Sequence, residues 1–117
     1  MVFDLIMSRF AQMDCVPCRI GAPTLSKQEI NSYLHEVTGW LYKTNPDKIT
    51  KQFEFKDFRS ALKFVNKVGI IAEKQNHHPD ILLHSYKKVR IELWTHKING
   101  LHQNDFILAA KIDSVKS

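Results

Sequence analysis

Apolar residues recur along this chain at two periods, and the switches between them mark successive elements. In LSKQEI at 25–30, Ser26 and Glu29 are spaced as a capping box, and Leu25 and Ile30 as a hydrophobic staple. Ile30, Tyr33, Leu34 and Val37 continue at helical spacing to Gly39, so the pattern predicts a helix over 27–38. Residues 40–43 and 49–55 read as strands on either side of TNPD at 44–47, where Pro46 presets a turn. From Asp57, an N-cap residue, to Asn76 the apolar positions form two helical stripes. One comprises Phe58, Ala61, Leu62, Val65 and Ala72, the other Phe64, Val68 and Ile71. A single sheet covers only one stripe, so either the core face is wide or the second stripe meets a partner subunit.

After Pro79, residues 81–86 and 89–95 suit strands, and the second run alternates Val89, Ile91, Leu93 against Arg90, Glu92, Trp94. Residues 85–88 join them. Phe106, Ile107 and Ala110 suggest a last helix opening near 102–104, with Asp105 in its first turn, where the helix dipole favours it. The order α-β-β-α-β-β-α describes an α+β domain: a four-stranded antiparallel sheet with three helices packed on a face. The first dozen residues lack periodicity and caps, so 1–23 is expected to be a loosely ordered N-terminal arm before a single domain at 24–117.

Composition narrows the function classes. A chain of 117 residues, 44% hydrophobic and 25% charged, has the make-up of one small core, and a core this small makes a homodimer or homotetramer reasonable. The net charge of +5 would suit a nucleic-acid binder, yet most lysines are dispersed. Only Lys87, Lys88 and Arg90 cluster, at an expected turn and without an aromatic stacking motif, so no nucleic-acid partner is expected. No apolar run approaches the ~20 residues of a membrane span. Residues 1–7 carry Asp4 and lack both a basic start and a small-residue cleavage site. A cytoplasmic location follows, with Cys15 and Cys18 as reduced thiols. That pair is a single CxxC without a second, and adjacent histidines at a helix end diverge, so no metal site is expected.

The candidate chemistry sits in EKQNHHPD at 73–80, where His77 and His78 end a helix just before Pro79. With a turn centred near Lys87, the following hairpin returns His96 opposite 77–79, and Glu73 stands four residues before His77, within helical reach of it. Three imidazoles and a carboxylate then converge. Imidazoles, with an unperturbed pKa of about 6.5, both donate and accept protons near neutrality. Taken singly, His77 could be only a helix-end cap and His78 and His96 solvated groups; their convergence with Glu73 favours chemistry. His35, His84 and His102 lie outside the group as surface or capping residues.

EKQNHHP at 73–79, Tyr86, LWTH at 93–96, Gly100-Leu101 and Asp105 together resemble the pterin-4a-carbinolamine dehydratase family. The resemblance runs from about residue 25 to 112, and CVPCRIGAP and GLHQNDFILAA look like its bacterial branch, the partner of phenylalanine hydroxylase. It implies the α+β fold argued above, assembled as dimers or tetramers, and catalysis without metal or cofactor. The implied reaction dehydrates 4a-hydroxy-tetrahydropterin to quinonoid dihydropterin, which a reductase recycles for an aromatic amino acid hydroxylase. By motif position, Glu73, His77, His78 and His96 would be catalytic: His77 and His96 as an acid–base pair, His78 orienting the pterin, Glu73 setting the protonation of His77. Pro79 and Thr95 would join His77, His78 and His96 in binding substrate. His102 stands where many relatives cap the last helix with Ser or Thr, which puts that cap in doubt, and Asn76 stands where some relatives carry an acid. Animal members also stabilise a transcription-factor dimer, which implies an alternative: a protein-binding dimerisation cofactor acting through an apolar helix face, here the stripe of Phe64, Val68 and Ile71.

Overall fold

The computed structural model describes residues 8–17 and 19–116. Within them lie helices α1 (Lys27–Leu34), α2 (Phe58–Gln75) and α3 (Gln103–Ser114) and strands β1 (Leu41–Lys43), β2 (Lys48–Glu54), β3 (Asp80–His84) and β4 (Lys88–Leu93). Short 3-10 turns occupy Arg9–Gln12 and His96–Ile98. The order is α-β-β-α-β-β-α, and the sheet, β1-β2-β4-β3, is antiparallel throughout.

The two hairpins join through β2 and β4, in register from Ile49 opposite Leu93 to Glu54 opposite Lys88. Strand pleating turns Ile49, Phe53, Val89, Ile91 and Leu93 onto one face, where all are buried beneath the helices. The opposite face carries Gln52, His84 and Arg90, with His84 Nε2 2.8 Å from Gln52 Oε1.

α1 begins as its capping signal requires: the Ser26 N–H donates to Glu29 Oε1 at 2.9 Å and the Glu29 N–H to Ser26 Oγ at 3.1 Å. It ends at Leu34, four residues before the expected 38, because the next amides bond three residues back, His35 to Ser32 and Glu36 to Tyr33. Gly39, at φ +88°, completes the stop. α2 starts where Asp57 Oδ1 accepts from the Ser60 N–H at 2.8 Å and stops at Asn76, which adopts the left-handed conformation at φ 51°.

The stripes of α2 require a correction. Phe64 and Val68, the stripe that one of the two readings gave to a partner, are core residues, and Ile71 is half-buried; the Phe64 ring centroid lies 4.8 Å from that of Phe53 and 5.0 Å from that of Phe55. From the other stripe, Ala61 and Ala72 are buried, being small enough to let the helix approach the sheet, while Phe58 and Leu62 are exposed along with Ile70. Helical period gives two candidate faces, and what the sheet places opposite each residue decides which is buried.

Part of the segment expected to be a loose arm is joined to the core. Phe10 is fully buried, edge-on to Tyr33 at 5.3 Å between centroids and 6.4 Å from Phe106. Lys111 Nζ donates to the Ala11 carbonyl at 3.0 Å. Among the described residues, no helix is long and apolar enough to cross a membrane.

Candidate functional site

Asn76 breaks the helical phase at the end of α2, and the next two side chains separate in direction. The His77 N–H still bonds back to the Ala72 carbonyl at 3.1 Å. Its ring turns inward, with Nε2 2.7 Å from Asp105 Oδ1 in the first turn of α3. His78 folds back over the last turn of α2, where Nε2 meets Glu73 Oε2. The expected Glu73–His77 pair is therefore replaced by Glu73–His78, because a four-residue spacing predicts contact only while helical geometry persists.

The two pairs differ in environment. Side-chain exposure is 12% for His77 and 0% for Asp105, against 57% for His78 and 79% for Glu73. A buried carboxylate needs partners, and Asp105 has three: besides His77, its Oδ2 accepts from Thr95 Oγ1 at 2.9 Å and from the His102 N–H at 3.0 Å. His102 does cap α3, its Nδ1 accepting from the Asn104 N–H at 3.0 Å. A carboxylate behind an imidazole fixes ring orientation and tautomer; with Asp105 as acceptor, the proton lies on Nε2.

The β3–β4 turn occupies 85–87 and centres on Tyr86 rather than Lys87, with Ser85 and Tyr86 both at positive φ. The register, Asp80 opposite Glu92, brings Thr95 rather than His96 level with His77 when extended three positions. His96 follows on the 3-10 turn, its ring stacked on Trp94 with centroids 3.9 Å apart and planes 23° apart. The chain is pinched behind it: the Thr95 N–H donates to the Gly100 carbonyl at 2.8 Å, and a Cβ on Gly100 would come within 2.7 Å of Thr24 Cγ2, which only glycine avoids.

A cavity of about 660 Å³ opens at this end of the sheet. His77, His78, Pro79, Trp94, Thr95 and His96 all line it, so five expected site residues meet at one space. Glu73 reaches it only through His78. Sequence reasoning placed Asp105 in the helix's first turn without assigning it to the site; an acid heading the apolar run FILAA was the available signal. It also missed the wall formed by Cys15, Val16 and Pro17. Burial first, and then the Asp105 charge, push the Cys15 thiol up to about 11. Cys18 lies outside the described residues, so the expectation for the CxxC pair is tested only at Cys15, a free thiol. Among the described residues, no three His, Cys, Asp or Glu side chains are grouped to hold a metal ion.

Known proteins share this arrangement of sequence. A family model described as Pterin 4 alpha carbinolamine dehydratase matches residues 23–115. A protein of Alkaliphilus metalliredigens, provisionally named as a pterin-4-alpha-carbinolamine dehydratase, is 43% identical over 111 residues, covering 95% of this chain and 99% of that protein. One of Halorhodospira halophila with the same provisional name is 48% identical over 102 residues, covering 86% and 92%. The crystal structure of a transcriptional coactivator/pterin dehydratase from Brucella melitensis matches with a TM-score of 0.76 at 33% identity, over 81% of this chain and 100% of that one.

Proposed function

Because the chain belongs to the pterin 4 alpha carbinolamine dehydratase family, we propose that it removes water from 4a-hydroxy-tetrahydropterin by acid–base catalysis between His77 and His96. The observation that carries this reading is that both imidazoles line one cavity, with a buried carboxylate behind the first. Hydroxide leaves poorly, so one imidazolium protonates the 4a-oxygen, the C4a–O bond breaks and water departs. The other, neutral imidazole takes the N5 proton, the N5–H electron pair forms the C4a=N5 bond, and the product is the quinonoid dihydropterin. Proton exchange with solvent restores the pair. In His77 the Asp105 contact occupies Nε2 and leaves Nδ1 for the substrate. His78, held by Glu73, orients the pterin, while Pro79 and Thr95 shape the pocket; Thr95 also anchors Asp105.

The quinonoid dihydropterin it releases is what a reductase returns to tetrahydropterin for an aromatic amino acid hydroxylase, and the chain works in the cytoplasm as a homodimer or homotetramer. The test is the loss of 4a-hydroxypterin absorbance on adding catalytic amounts of protein. Acceleration of the decay is expected, and an unchanged decay would refute the reading.

A second reading rests on the exposed Phe58, Leu62 and Ile70 of α2, together with the coactivator description of the Brucella melitensis protein. That face suits docking of another helix, whether from a second copy or from a regulatory protein. Mass measurement of Leu62→Glu tests self-association, where a smaller assembly than wild type is expected.

A further inference from the structure

The segment just before Cys18 lines the cavity and is tied down by two side chains, each close in sequence to the acid–base machinery. Asn104, whose side chain is buried, makes a two-point contact with the backbone of Val16: the Val16 N–H donates to Asn104 Oδ1 at 3.0 Å, and Asn104 Nδ2 donates to the Val16 carbonyl at 2.6 Å. Gln75, the last residue of α2, accepts from the Cys15 N–H at 2.7 Å and donates to Asp14 Oδ1 at 3.0 Å. Cys15 Sγ adds a contact to the Asn104 carbonyl at 3.6 Å. Asn104 adjoins Asp105, and Gln75 stands two residues before His77. The strap is therefore fastened to both helix ends that hold the inward His77–Asp105 pair.

What the strap presents to the cavity is mainly apolar. Both backbone polar groups of Val16 are taken by Asn104, Pro17 has no N–H, and the thiol of Cys15 stays protonated. The Val16 side chain is exposed although it lines the cavity, an apolar surface left open at the place where a ligand would sit. Such a wall complements the flat face of a bicyclic ring better than a hydroxylated side chain.

We infer that residues 15–17 form a substrate-binding wall contacting the ring face of the pterin, with Val16 as a contact residue and Asn104 as the positioning residue that sets it. The inference deepens the dehydratase reading and rests on it. Substrate affinity then depends on a segment outside the sheet and helices, whereas the proton-transfer step does not.

The experiment is steady-state dehydration by the full chain, comparing wild type with Val16→Gly and Asn104→Ala, on one substrate with a methyl group at C6 and one with a dihydroxypropyl group there. KM rises about tenfold in both variants, by the same factor for both substrates, while kcat falls less than about threefold. An unchanged KM accompanied by a lower melting temperature overturns the wall, making the strap a stability element only. A KM rise confined to the dihydroxypropyl substrate overturns the ring-face contact. Should Asn104→Ala fail to fold, Val16→Gly, which removes one exposed side chain, decides alone. A wild-type chain that gives no dehydration overturns the dehydratase reading itself, and that result is visible before any variant is made.

Discussion

His77 and His78 are neighbours in sequence, and each is bonded through Nε2 to a carboxylate, yet one pair lies in the interior and the other in water. The inward carboxylate is held by two further donors and cannot move without leaving a buried charge unpaired. The outward one is an exposed side chain whose attraction to imidazole is screened by water, a contact worth about 0–1 kcal/mol. Pairs with matching chemistry therefore carry unequal weight, and burial sets the difference.

The largest effect that would sharpen this contrast is Asp105→Asn. The carboxamide keeps the shape, but its NH2 group can face His77 Nε2 and impose the other tautomer; kcat falls about 100-fold with the fold retained by circular dichroism. A kcat within threefold of wild type would remove the distinction between the pairs. His77→Ala and His96→Ala should each lower kcat about 100-fold or more, and wild-type rates from both would refute the assignment of the acid–base pair. On stability, Phe64→Glu should cost about 4 kcal/mol or more by burying an unpaired carboxylate, seen as a lost or strongly lowered thermal transition, whereas Leu62→Glu on the exposed face should leave the transition nearly in place.

Smaller effects lie on the exposed side. Glu73→Gln should change kcat less than about threefold, since His78 stays solvated and the lost pair is a surface one. A larger loss would mean that His78 depends on Glu73 as closely as His77 depends on Asp105. The smallest effect is at Cys15: in a Cys18→Ser background, its thiol, titrating at about 11, should resist alkylation at pH 8. Its folded value lies above the ordinary 9.0, so the proton is held more tightly when folded and stability should decline as pH rises from about 9 to about 11, measured by denaturant melts.

Periodicity and caps were enough to order the elements. Ser26 with Glu29, Asp57 and the 89–93 alternation act locally, and local signals survive folding. The facing of α2 was not legible, because Phe64 and Phe58 have the same hydrophobicity and differ only in what the sheet offers opposite them. At the site, the convergence of His77, His78 and His96 on one cavity could be read from the hairpin's return even with a register two positions off. The partner of His77 could not. Its place depends on one backbone torsion at Asn76 and on how α3 packs across the sheet, neither of which spacing encodes. Resemblance to a family supplied Asp105 as a motif position, and the structure connects it to His77, Thr95 and His102.

The stack of His96 on Trp94 gives the molecule a built-in optical gauge. An imidazolium drains the excited state of an indole it touches more effectively than a neutral imidazole does, so the emission of Trp94 follows the charge of the ring beside it. Trp40 sits apart, its Nε1–H donating to Asp113 Oδ2 at 3.1 Å, and replacing it with phenylalanine leaves Trp94 as the single tryptophan. The protonation of His96, one member of the proposed acid–base pair, then becomes readable in the resting protein, with no substrate present and no turnover required.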